Sequence, residues 1–85
     1  MPPNEIPGLE GARLTPRETE VIHLILARHT NLAISLHLAC SVKNVEAHIS
    51  SIFRKTHTNS RLDLVMKIMS AAREAAGSGG TAPTG

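Results

Sequence analysis

The chain has 85 residues, enough for one small domain, with 41% hydrophobic and 19% charged residues and a formal net charge of +2. A single aromatic, Phe53, argues against the ring platforms that stack single-stranded bases, and a single thiol, Cys40, excludes an internal disulfide and fits a reducing compartment. No apolar run approaches a membrane span, and the opening Met-Pro-Pro-Asn-Glu lacks the basic and apolar regions of a secretion signal. The sequence therefore reads as cytoplasmic, with no membrane partner.

The charge is unevenly placed. All nine basic residues lie between Arg13 and Arg73, while Glu5 and Glu10 stand in the leading segment; from Arg13 to Ala76 nine basic residues face five acidic ones, a balance of +4. Such a balance is compatible with nucleic acid but does not by itself select it.

Residues 1–13 hold Pro2, Pro3, Pro7, Gly8 and Gly11 and are expected to form a flexible N-terminal arm. A compact domain is expected over 14–76, and the small polar residues 77–85 are expected to be a disordered tail. Within the domain, Thr15-Pro16-Arg17-Glu18 is a capping box with proline at the first helical position. The helix it opens has Val21, Ile22, Ile25 and Leu26 as its apolar stripe and is expected to stop near His29. Thr30-Asn31 caps a short second helix, about Leu32 to Leu38, with Ile34 and Leu38 inward. Ser41 caps a third helix to about Lys55, with Val42, Val45, Ile49, Ile52 and Phe53 on one face. Ser60 with Asp63 caps a fourth helix reaching about Ala75. The fold class is all-α, a four-helix bundle without strands.

The second and third helices are separated only by Ala39, Cys40 and Ser41, the spacing of a helix-turn-helix. A turn this short sets the helices at a wide angle, so the third stands out from the bundle and can enter a major groove. Its outward face carries small residues, Ala47, Ser50 and Ser51, flanked by Lys43 and Arg54. The same spacing also suits a plain solvated face on a small bundle.

Leu14-Thr15-Pro16-Arg17-Glu18, then Glu20-Val21-Ile22, together with Thr30-Asn31, Ile34, Leu38, Ser41, Val45, His48-Ile49, Ile52-Phe53-Arg54-Lys55, Asn59-Ser60-Arg61 and Leu64-Val65, resemble the LuxR/FixJ-type (GerE-like) DNA-binding domain. The resemblance runs from about Leu14 to Ala75. It implies a bacterial transcriptional regulator that binds double-stranded DNA through its third helix and often dimerises through its fourth. Mapped onto this sequence, the DNA-contacting positions are Thr30, Asn31, Lys43, Asn44, Glu46, Ala47, Ser50, Arg54, Lys55 and Arg61. Such regulators usually carry a sensor or receiver domain upstream; none precedes Leu14 here, so the chain reads as a stand-alone effector or an excised fragment.

The departures are as informative. Glu46 stands where the family usually has lysine, reversing the charge at a contact position, and Arg28 replaces the glycine expected at the end of the first helix. Ala33 replaces an acid, and Thr56 replaces a leucine. A carboxylate in a phosphate-lined groove is repelled unless it accepts a proton donor such as cytosine N4. A second reading therefore stands beside DNA binding: a degenerate helix-turn-helix that binds a protein partner, either a regulator or RNA polymerase.

On the fourth helix, Leu64, Val65, Ile68 and Ala72 form the arc expected to face the bundle, while Leu62, Met66 and Met69 form a neighbouring apolar arc. Either that second arc is also buried, or it is exposed and, with Arg73, forms a homodimer or partner surface. The five histidines, His23, His29, His37, His48 and His57, show no metal-ligand spacing, and Cys40 reads as a small buried hydrophobe. No phosphate loop or nucleophile–base pair is present, so no enzyme activity, metal or cofactor is expected.

Overall fold

Hydroxyl side chains fix where the helices begin. The computed structural model describes residues 6–77, with side-chain surroundings through Glu74, and contains α1 (Pro16–Leu26), α2 (Asn31–Leu38), α3 (Val42–Thr56) and α4 (Arg61–Gly77). Thr15 Oγ1 accepts from the Glu18 N–H at 3.0 Å while Glu18 Oε1 accepts from the Thr15 N–H at 3.0 Å, closing the expected capping box. Thr30, Ser41 and Ser60 accept from the third residue of α2, α3 and α4 at 3.1, 3.0 and 3.1 Å. Asp63 completes the last of these by accepting from the Asn59 N–H at 2.9 Å. Among the described residues every regular element is helical, as the sequence predicts.

The helix ends are less conventional. α1 stops at Leu26 rather than near His29, because Arg28 adopts a left-handed backbone with φ 70°. The His29 N–H then reaches back to Leu24 O at 3.1 Å, closing a Schellman motif. Ala39 (φ 55°) and His57 (φ 58°) end α2 and α3 in the same way, with Cys40 N–H to Ser35 O at 2.9 Å and Thr58 N–H to Phe53 O at 3.0 Å. All three left-handed positions are taken by residues with a Cβ, at about 1 kcal/mol or more each relative to glycine.

The core is aliphatic: Val21, Ile22 and Ile25 of α1 meet Ile34 and Leu38 of α2, Val45, Ile49 and Ile52 of α3, and Leu64 and Ile68 of α4. Leu26, Phe53 and Val65, expected inside, are only half-buried, whereas Leu24 is buried. Thr56 occupies its leucine slot with its hydroxyl satisfied, donating to Ile52 O at 2.8 Å and lying 2.8 Å from the Thr58 hydroxyl. α2 and α3 pack on each other, and α1 packs against both α3 and α4.

The segment before α1 is not a free arm. It is irregular, but Ile6 and Leu9 are both buried in the core. Gly8 (φ 83°) passes so close to α4 that a Cβ there would lie 2.9 Å from Ala71 Cβ and 3.3 Å from Lys67 O. Ile6, Gly8 and Leu9 thus pack against the helices from upstream of Leu14. The expected disordered tail, from residue 78 onward, lies outside the described residues.

Candidate nucleic-acid interface

α3 is held to the bundle by Val45, Ile49, Ile52 and Thr56, which are buried along one side. On the opposite side Lys43, Ala47, Ser50 and Arg54, spaced i, i+4, i+7 and i+11, form an exposed stripe. Glu46 lies exposed on one flank of that stripe, next to half-buried Val42 and Phe53; Asn44 lies exposed on the other. The ion pairs among the described residues are Arg17–Glu20 at 3.5 Å and Lys55–Glu18 at 2.8 Å, so neither Lys43 nor Arg54 is neutralised.

The remaining sequence-predicted residues are held in place by other contacts. Thr30 is the α2 cap, its hydroxyl accepting the Ala33 N–H. Asn31 Oδ1 accepts from Arg61 Nη1 at 2.8 Å, and Arg61 Nη2 also donates to the His29 carbonyl. This latch fixes the start of α4 against the turn between α1 and α2. Lys55 turns away from the stripe, donating to Glu18 Oε1 at 2.8 Å and towards the Arg13 carbonyl at 3.4 Å.

Glu18 is the electrostatic centre of the scaffold. Burial alone would raise its pKa; the Lys55 ammonium, the Thr15 N–H and the Ser51 hydroxyl, 2.8 Å away, outweigh burial and bring it down to about 2. The carboxylate therefore stays ionised and clamps the middle and end of α3 to the start of α1. Sequence reasoning assigned Glu18 only its capping role, because Ser51 and Lys55 reach it across 33 and 37 residues.

One further feature escaped the sequence reading. Leu32 and Leu36, one turn apart on α2, are 60% and 75% exposed. The signal was present: only Asn31, Ser35 and His37 interrupt an otherwise apolar helix, more than one buried face requires. On α4, Leu62, Met66 and Met69 are 68%, 60% and 54% exposed, so the second apolar arc is not buried in the bundle, and Arg73 is exposed beside it. His29 and His37 stack with ring centroids 6.4 Å apart, and no group of three or more potential metal ligands converges among the described residues.

A capped scaffold that presents one amphipathic helix across a three-residue turn defines the class: a helix-turn-helix domain. The chain belongs to the luxR family of bacterial regulatory proteins, whose model matches residues 12–68. That family is one of regulatory domains rather than enzymes. The chain is 39% identical over 62 residues to "Probable transcriptional regulator ycf29" of Porphyra purpurea, covering 73% of this chain and 30% of the relative. It is 47% identical over 51 residues to "Response regulator Rre1" of Synechocystis sp., covering 60% of this chain and 22% of the relative. A second protein described as "Probable transcriptional regulator ycf29", from Pyropia yezoensis, is 43% identical over 53 residues, covering 62% of this chain and 24% of the relative. The chain thus spans less than a third of the length of these relatives. No solved structure gives a significant match. No helix among the described residues is long and apolar enough to cross a membrane.

Proposed function

We propose that the chain binds double-stranded DNA as a transcription regulator, with α3 in the major groove and two copies joined through α4. The observation that carries this reading is the Lys43–Ala47–Ser50–Arg54 stripe: two cations without acid partners at its ends and small side chains between them that allow close approach. Lys43 and Arg54 contact phosphates. Asn44 and Glu46, on the two flanks, face base edges. Thr30 and Asn31 bring the start of α2 to the backbone, where helix N–H groups favour phosphate. Lys55 and Arg61 add to the positive field but are tethered. Similarity to a response regulator and to probable transcriptional regulators supports the same reading.

The direct test is duplex binding measured against salt. With Lys43 and Arg54 as the untethered contacts, a dimer should show a log–log slope of about −4, steepening to about −5 if Arg61 also reaches a phosphate. Absence of duplex binding at about 50 mM salt would refute the proposal. It would favour a protein partner, a reading that the exposed Leu32 and Leu36 and the carboxylate of Glu46 support.

A further inference from the structure

Between the end of α1 and the start of α4 lies an open groove of about 430 Å³. Its walls are Leu26, Leu62, Val65 and Met69, and the arginines Arg28 and Arg61 also line it. No Asp or Glu lines it, and the sequence holds none between Glu20 and Glu46. Arg61 is braced by Asn31 and the His29 carbonyl, whereas Arg28 has no acid partner among the described residues. Arg28 also occupies a left-handed backbone position that glycine would fill with less strain. The sequence thus keeps a guanidinium beside an apolar groove at a conformational cost.

We propose that this groove docks an acidic amphipathic helix of a protein partner, its apolar side chains between Leu26 and Met69 and a carboxylate on Arg28. The charge pattern selects this occupant: apolar walls, two guanidiniums and no competing acid. The walls select a protein segment over a small molecule, because Leu62 and Met69 stand more than half exposed and would leave a small ligand poorly enclosed. A second copy of the chain fits less well. Its exposed α4 stripe continues one turn beyond Met69 into Arg73, a cation where Arg28 calls for an acid. Leu62 and Met69 belong to both this groove and the α4 ridge, so an acidic helix and a second copy compete for them, while Met66 lies outside the groove.

The test maps backbone amide shifts of the full chain on titration with a synthetic helical peptide of about 15 residues, leucines on one face and glutamates elsewhere. Its twin carries lysine for every glutamate. The glutamate peptide should shift Leu26, Arg28, Val65 and Met69 saturably. Arg28→Glu should weaken binding by about tenfold, and Arg28→Gly, which suits the left-handed backbone and keeps the fold, should weaken it severalfold. Met66→Glu, which disrupts the α4 contact between copies, should not weaken peptide binding. Three results would overturn the proposal: no saturable shift at about 1 mM peptide, equal binding of the lysine twin, or indifference to Arg28→Glu. Groove shifts that follow the chain's own concentration, vanish in Met66→Glu and ignore the peptide would assign the groove to a second copy instead.

Discussion

The Lys55 ammonium lies 2.8 Å from Glu18 Oε1 and ties the end of α3 to the first turn of α1. The same carboxylate holds Ser51 at 2.8 Å and the Thr15 N–H at 3.0 Å, so one buried acid sets both the start of α1 and the seat of α3. Because it fixes α3 from the inner side, the outer stripe is presented at a set angle.

That arrangement predicts an acid-labile fold. The Glu18 pKa is lowered to about 2 from 4.5, so its ionised form is favoured by folding. For a carboxylate with a depressed folded-state pKa, the stabilisation is complete above the unfolded value and is lost as pH falls towards the folded one. Stability should therefore decline between about pH 5 and pH 2, by on the order of 2–3 kcal/mol from this group. Glu18→Gln should lose about that much at pH 7 and flatten the decline, as read by urea unfolding across the range.

Ala39 is the sharpest test of the helix-turn-helix backbone. It sits at φ 55° between α2 and α3, exposed, where its Cβ is strained. Ala39→Gly should raise stability by about 1 kcal/mol without moving α3. Thermal unfolding reads the gain, and an unchanged amide spectrum in α3 checks the geometry.

These features show where the sequence is transparent. Thr15, Thr30, Ser41 and Ser60 act within three residues of themselves, so the helix starts are legible, as are the inward faces set by Val45, Ile49 and Ile52. The ends are not, because Arg28, Ala39 and His57 take left-handed backbones without the glycine that would announce them. Ile6 and Leu9 are hidden among prolines and glycines, where composition suggests a loose segment, yet both reach the core. In the candidate interface, the outward stripe follows from helical period. The tethering of Lys55 and Arg61 does not, since their partners Glu18 and Asn31 lie on other helices.

Glu46 should decide what the outward face of α3 reads. It is exposed and flanks the stripe, where a lysine would add a third cation. If the carboxylate is only tolerated beside phosphates, Glu46→Lys should tighten binding to random duplex severalfold. If it accepts from a cytosine, the same change should erase about 1–3 kcal/mol of preference for the cognate base pair while raising background binding. Competition titrations with cognate and scrambled duplexes separate the two. No change in either would show that α3 does not face DNA at that position.

The ridge on α4 should control self-association. Leu62, Met66 and Met69 are each more than half exposed although Leu64 and Ile68 of the same helix are buried, so one helix has an inner and an outer apolar face. An outer face of this kind, left open to water, favours pairing across a two-fold axis, where the same patch meets its copy. Flexible methionines adapt to such a contact without demanding one fixed packing. Met66→Glu with Met69→Glu places two carboxylates on each side of that interface while touching none of the buried core positions. Sedimentation at matched concentrations should show a dimer for the parent and a monomer for the variant, with circular dichroism unchanged. A monomeric parent would remove self-pairing from the proposed function while leaving the α3 stripe untouched. An unfolded variant would show that the methionines support the bundle itself, against their exposure in the structure.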